Sequence, residues 1–197
     1  MLKKKSGYVV AVVGATGAVG TEMIEVLQER KFPVARLVPL ASARSAGGTV
    51  TFEGNEVSIE ALTKDSFAGV DIALFSAGAD LSREFAPIAV KAGAVVIDNS
   101  AAWRMTPEVP LVVPEVNAHD IQRHKWIIAN PNCYTIQMVV SLKPLHDEAR
   151  IKRIVVTTFQ SVSGTGKDAM DELMTECQDL LSFKSASPKV YPYQIAF

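Results

Sequence analysis

In the run Asn130-Pro131-Asn132-Cys133-Tyr134-Thr135 a cysteine follows a proline turn and stands where a helical pattern begins. The first turn of a helix offers N–H groups and the positive end of the helix dipole, and both stabilise a thiolate. A thiolate in that position can attack an aldehyde to form a hemithioacetal, which becomes a thioester once a hydride leaves for a nicotinamide. The other cysteine, Cys177, lies inside an amphipathic helical pattern and reads as packing.

A hydride needs an acceptor, and the sequence offers a place for one. Gly14-Ala15-Thr16-Gly17-Ala18-Val19-Gly20 follows the β-branched run Tyr8–Val13 and opens a helix from about Val19 to Arg30. A glycine loop between strand and helix lets backbone N–H groups approach a dinucleotide pyrophosphate, although the spacing is GxxGxxG and so a variant. About 20 residues further on, an NAD site would place an acidic residue against the ribose. Here Ser42-Ala43-Arg44-Ser45 supplies a guanidinium and two hydroxyls, which suit the 2′-phosphate of NADP. A later cluster, Gln160-Ser161-Val162-Ser163-Gly164-Thr165-Gly166, allows close backbone approach to a cofactor ring, with Gln160 offering neutral hydrogen bonds to a substrate.

The elements that must position these residues read as alternating strands and helices. Strands are expected at Tyr8–Val13, Arg36–Leu40, Asp71–Phe75, Ala94–Ile97 and Trp126–Ala129, with a small hairpin of Thr49–Phe52 and Glu56–Ile59 around Gly54-Asn55. Helices are expected to follow the glycine loop, to span Leu81–Lys91 with Phe85, Ile88 and Ala89 inward, and to begin at Tyr134–Leu142. Serial βα units predict an α/β, Rossmann-like, doubly wound parallel sheet. Beyond Asn130-Pro131-Asn132 the pattern changes to a long strand over Ile151–Phe159 and an amphipathic helix over Lys167–Leu181. The expected division is a cofactor-binding domain over residues 1–130 and the beginning of an α+β catalytic and dimerisation domain over residues 131–197.

Composition narrows the function classes. The chain has 197 residues, 48% hydrophobic and 21% charged, which is ordinary for a globular protein. A net charge of -1, with no basic run beyond Lys3-Lys4-Lys5, argues against nucleic acid as a partner. No apolar stretch reaches the roughly 18–20 residues that span a bilayer, and Tyr8–Val13 runs into a glycine loop rather than a cleavage site. With only two cysteines a disulfide scaffold is not expected, so the chain reads as cytoplasmic. No metal centre is expected.

Taken in order, the motifs GATGAVG, SARSAG, FSAG (Phe75 to Gly78), DNSAAWR (Asp98 to Arg104), PLVVPEVN (Pro110 to Asn117), NPNCYTIQM and QSVSGTG resemble those of the aspartate-semialdehyde dehydrogenase family along essentially the whole chain. That family reduces aspartyl phosphate with NADPH, or runs the reverse with inorganic phosphate, on the route to lysine, methionine and threonine. The resemblance implies that Gly14, Thr16, Gly17, Ala18, Val19, Ser42, Arg44, Ser45, Ser76 and Gly78 bind NADP, with Ser163 and Gly164 at the nicotinamide end. It implies that Cys133 is the acyl-thioester nucleophile and that Gln160 contacts substrate. Arg104 then becomes the phosphate-binding arginine, with Asn132 orienting the same group, and the complete protein is expected to be a homodimer.

Tyr134 stands where many members carry Ser or Thr, and the sister family of N-acetyl-glutamyl-phosphate reductases typically shows Gly-Cys-Tyr there. Asn132 precedes the cysteine here, and the sister enzyme remains the alternative, beside a non-catalytic NADP-binding homologue. The family's substrate-anchoring arginine and general acid/base histidine belong to a later segment, and His119, His124 and His146 lie in no matching motif. The 197-residue chain alone is therefore expected to turn over poorly.

Overall fold

Strand β1, Tyr8–Val13, sorts its side chains between two layers because successive residues of a strand point to opposite faces. Ala11 and Val13 join a core with Phe67, Phe75, Phe85, Ala86 and Ala89. Val12 joins another with Ala15, Ile24, Leu37 and Phe52. The strand is thus apolar on both faces, as a central parallel strand must be. The computed structural model describes residues 4–197, in two compact units that divide between Arg153 and Ile154.

In the first unit, helix α1 (Ala18–Glu29) follows the glycine loop and buries Gly20 and Ile24. Strand β2 (Val34–Ala41) comes next, then the antiparallel hairpin β3 (Thr49–Phe52) and β4 (Asn55–Ser58), and the short β5 (Glu60–Ala61). The hairpin turns on Glu53-Gly54, one residue earlier than the expected Gly54-Asn55. Both turn residues have positive φ (50° and 78°), the requirement of a two-residue loop matched to strand twist, and glycine meets it best in the second place. Strand β6 (Ile72–Phe75), helix α2 (Ala79–Lys91), strand β7 (Val95–Asp98), helix α3 (Pro114–Asn117), a 3-10 turn over Ala118–Arg123, strand β8 (Ile127–Ala129) and helix α4 (Cys133–Ala149) complete it. Within α2, Phe85 and Ala89 are buried and Ile88 packs against the same core.

The six-stranded sheet runs β5-β2-β1-β6-β7-β8, with every pairing parallel. Apart from the hairpin, this is the doubly wound order in which the chain reverses direction beside β1, leaving a crevice at the carboxyl ends of the strands. The expected fold class is therefore the observed one.

The second unit, Ile154–Phe197, contains a 3-10 turn over Val162–Thr165 and helix α5, Lys167–Leu181. The strand expected over Ile151–Phe159 is absent: residues 151–161 belong to no helix or strand, and Val155 is 80% exposed. β-Branched composition records a fit to a pleated, half-buried surface and makes no strand without a ladder beside it. Helix α5 is amphipathic as expected, but its buried positions are Ala169, Glu172 and Glu176, whereas Met174 and Leu181 are exposed.

Glu172 accepts the backbone N–H groups of Lys189, Val190 and Tyr191, and Glu176 accepts those of Ile195 and Ala196. Carboxylates stay buried only when hydrogen-bonded in this way. Burial pushes the Glu172 carboxyl up, yet the N–H groups of Val190, Tyr191 and Lys189 together outweigh it and hold the group below its ordinary range.

Candidate active site

The glycine loop leaves the end of β1 and folds back on itself. Gly14 has φ 89°, and a side chain there would stand 2.8 Å from the carbonyl oxygen of Ser76, so the loops after β1 and β6 meet at this glycine. Gly20 is needed for another reason: a Cβ would come within 2.1 Å of the Gly14 carbonyl oxygen, and only glycine lets α1 sit this close to the loop. The N–H groups of Gly14 and Ala15 both donate to Leu40 O, and that of Gly17 donates to Gly14 O. These bonds shape the loop and remove three donors from it. The N–H groups of the first helical turn have no intrahelical acceptor and suit an anion. Gly17 is the N-cap, and Ala18 and Val19 open the helix.

Ser76 continues β6 by donating its N–H to Val13 O, and Gly78 caps α2 by accepting the N–H of Ser82. Ser42 begins the turn after β2, its carbonyl accepting the N–H groups of Ser45 and Ala46. Arg44 is exposed in that turn and has no ion-pair partner among the described residues. The residues expected to hold the pyrophosphate and the 2′-phosphate of a dinucleotide thus lie on loops at the carboxyl ends of β1 and β2, and Ser76 and Gly78 lie at the carboxyl end of β6. The loop geometry fits such a group: close approach at Gly14 and Gly20, uncommitted N–H groups at a helix start, and an unpaired guanidinium at the next strand end.

A second cluster occupies the carboxyl ends of β7 and β8. Arg104 donates from Nε to Asn130 O at 2.9 Å and from Nη2 to Asn99 O at 2.8 Å. Asn130 Nδ2 donates in turn to Asn99 Oδ1 at 2.7 Å. Beneath them Asp98 is fully buried and accepts the hydroxyls of Ser82 and Ser100, while Trp103 Nε1 donates to Ser82 Oγ. That network fixes the segment from which Arg104 emerges. Asp98, Asn99 and Asn130 fall within the quoted motifs but have no role assigned from sequence, where the available signal is a polar residue directly after each of two apolar runs. Beside Arg104 lies an open cavity of about 550 Å³, whose lining includes Asp120, Arg123 and Lys125.

Three residues after Asn130, Cys133 opens α4 and is exposed. Asn132 is the N-cap: its Oδ1 accepts the N–H of Tyr134 at 3.1 Å and lies 4.0 Å from the Cys133 sulfur. Its Nδ2 has no partner among the described residues. Cys177 is half-buried within α5, in keeping with packing.

Gln160, Ser163 and Gly164 belong to the second unit. There Gln160 Oε1 accepts from Thr158 Oγ1 at 3.2 Å, Ser163 Oγ donates to Ser161 Oγ at 2.9 Å, and Gly164 sits within the 3-10 turn. Of the histidines, His119 is exposed and His146 lies in the last turn of α4. His124 accepts the Trp126 N–H on Nδ1, and burial holds its imidazole below the usual range, hence neutral at pH 7.

The model of the semialdehyde dehydrogenase NAD binding domain matches residues 9–124, and that of the semialdehyde dehydrogenase dimerisation domain matches residues 142–197. The chain belongs to the semialdehyde dehydrogenase family. Within that family it is 56% identical to an aspartate-semialdehyde dehydrogenase of Aquifex aeolicus, over 97% of this chain and 57% of the relative. It is 49% identical to that of Bacillus subtilis, over 97% of this chain and 57% of the relative. The crystal structure of Vibrio cholerae aspartate semialdehyde dehydrogenase II complexed with ASA superposes with TM-score 0.89 at 50% identity, covering 98% of this chain and 58% of that one. The Candida albicans enzyme, solved with NADP, superposes with TM-score 0.60 at 26% identity, over 73% of this chain and 48% of that one. The chain thus spans about half the length of the relatives it matches. Among the described residues no helix is long and apolar enough to cross a membrane.

Proposed function

We propose that the protein is an aspartate-semialdehyde dehydrogenase, which oxidises L-aspartate 4-semialdehyde with NADP and inorganic phosphate to 4-phospho-L-aspartate and physiologically runs the reduction. One observation carries this reading: Arg104 is bound to the carbonyl of Asn130, three residues before an exposed cysteine at a helix N-terminus. A fixed cation anchored to the turn that leads into a nucleophilic thiol serves acyl transfer to phosphate better than it serves simple hydride exchange.

Thr16, Ala18 and Val19 present N–H groups to the pyrophosphate of NADP, while Gly14 and Gly17 shape the loop. Ser42, Arg44 and Ser45 take the 2′-phosphate, and Ser76 and Gly78 line the crevice beside it. The Cys133 thiol would lose its proton to a general base and its sulfur would add to the aldehyde carbon, opening the C=O bond to a tetrahedral oxyanion. NADP held by the loops after β1, β2 and β6 would supply the hydride acceptor, and the acyl group would then remain on Cys133 as a thioester. Arg104 and Asn132 hold phosphate, whose oxygen attacks the thioester carbonyl; the C–S bond breaks and the thiolate returns as acyl phosphate departs. Gln160 orients the substrate, and Ser163 with Gly164 borders the nicotinamide.

The same reading assigns residues 1–130 to cofactor binding and 131–197 to a catalytic and dimerisation domain. It makes the complete protein a cytoplasmic homodimer in lysine, methionine and threonine synthesis, with neither nucleic acid nor membrane as partner. NADPH formation by the full-length protein tests it. Turnover is expected to need phosphate and to favour aspartate semialdehyde over N-acetylglutamate semialdehyde by at least about 10²-fold in kcat/KM. Preference for the acetylated substrate, or turnover indifferent to phosphate, would contradict it.

A further inference from the structure

We propose that Asn99 and Asn130 are positioning residues, whose side-chain clasp keeps Arg104 in register with the turn that carries Cys133. This rests on Arg104 being the phosphate cation. A guanidinium carries several N–H donors in a rigid plane, so fixing two of them fixes the direction of the rest. In Arg104 the two fixed donors end on the carbonyl oxygens of Asn99 and Asn130, the residues directly after β7 and β8. Nη1 and the other Nη2 hydrogen remain for an anion.

The β7–β8 ladder stops at Asp98↔Ala129, so parallel pairing no longer dictates the spacing of those two carbonyls. Two bonds take over. Asn130 N–H donates to Asp98 O at 2.8 Å, and Asn130 Nδ2 donates to Asn99 Oδ1 at 2.7 Å. From Asn130 the chain reaches Cys133 through Pro131, which is buried and has a fixed φ, and the capping Asn132. A shift at Asn130 therefore moves the Arg104 anchor and the nucleophile turn together. On the other side Arg104 follows Trp103, which is tied to Ser82 and through it to buried Asp98. The clasp is the one side-chain bond joining the two strand-end residues that hold the cation.

The test uses the full-length protein with Asn99→Ala, Asn130→Ala, the double substitution, and Asn99→Asp, which keeps size and acceptor. KM for phosphate, KM for the aldehyde, kcat and Kd for NADP are measured on each. Each single alanine is expected to raise KM for phosphate about tenfold while Kd for NADP stays within about twofold. The double variant is expected to be no worse than about twofold beyond the weaker single, since both remove one bond. Asn99→Asp is expected to keep most of the phosphate affinity.

An unchanged KM for phosphate with an active wild type would overturn the clasp alone. So would single effects that multiply, a parallel rise in all three constants, or an Asp variant as impaired as the alanine. A wild type without phosphate-dependent turnover would overturn the functional reading and the clasp with it.

Discussion

The carboxyl edge of the sheet and the α5 segment solve the same problem, holding irregular backbone in place, by different physics. At the sheet edge the loops grow out of strands that are themselves buried: Val10, Val12, Val13 and Phe75 are fully inaccessible, and Phe67 stacks on Phe75 with ring centres 6.0 Å apart. The polar groups there are left with donors to spare, at the first turn of α1 and on Arg104. In the second unit the irregular stretch 189–196 is held by Glu172, both of whose oxygens accept backbone N–H groups, and by Oε2 of Glu176, which accepts two more. Burial builds a platform on which polar groups can face a ligand, whereas a carboxylate that serves as the platform is consumed by it.

That contrast can be broken, most severely at the core. Phe75→Ala is expected to cost about 3–5 kcal/mol in denaturant unfolding. It should also weaken NADP, because Ser76 and Gly78 follow Phe75 directly. A loss under about 1 kcal/mol would mean that the edge does not depend on the core beneath it. Arg104→Ala is expected to lower kcat/KM for phosphate by about 10²–10³-fold with NADP affinity retained. Arg44→Ala is expected to weaken NADP by about 10–10²-fold and to leave NAD unchanged, as measured by fluorescence titration.

The smallest effect belongs to the other region. Because the folded Glu172 carboxyl titrates below its unfolded value, its stabilisation is present above about pH 4.3 and is lost as pH falls through the folded value. Amide protection at Lys189, Val190 and Tyr191 should therefore fall on acidification, and Glu172→Gln should remove most of that dependence. Protection insensitive to both changes would mean that the carboxylate does not hold the segment.

The same contrast explains what could be read from sequence. β1 and α5 are observed as expected, Tyr8–Val13 and Lys167–Leu181, because apolar runs and helical periodicity are local signals. The glycine loop was legible because strand, glycines and helix are contiguous. Arg104 was legible only by resemblance, since its partners Asn99 and Asn130 meet through the adjacency of β7 and β8. Nothing local in the sequence marks Glu172 and Glu176 as buried, because the N–H groups that bind them lie 17 to 20 residues away. The β-branched composition of Ile151–Phe159 suits a strand, but composition carries no information about a neighbour.

The central claim is that Cys133 forms an acyl thioester that phosphate discharges. The direct measurement is rapid acid quench of the full-length protein with NADP and aspartate semialdehyde, without phosphate, followed by peptide mass spectrometry. An acyl adduct is expected on the peptide containing Cys133, absent from the Cys177 peptide and removed when phosphate is added before the quench. An unmodified Cys133 during NADPH formation, or an adduct indifferent to phosphate, would contradict it.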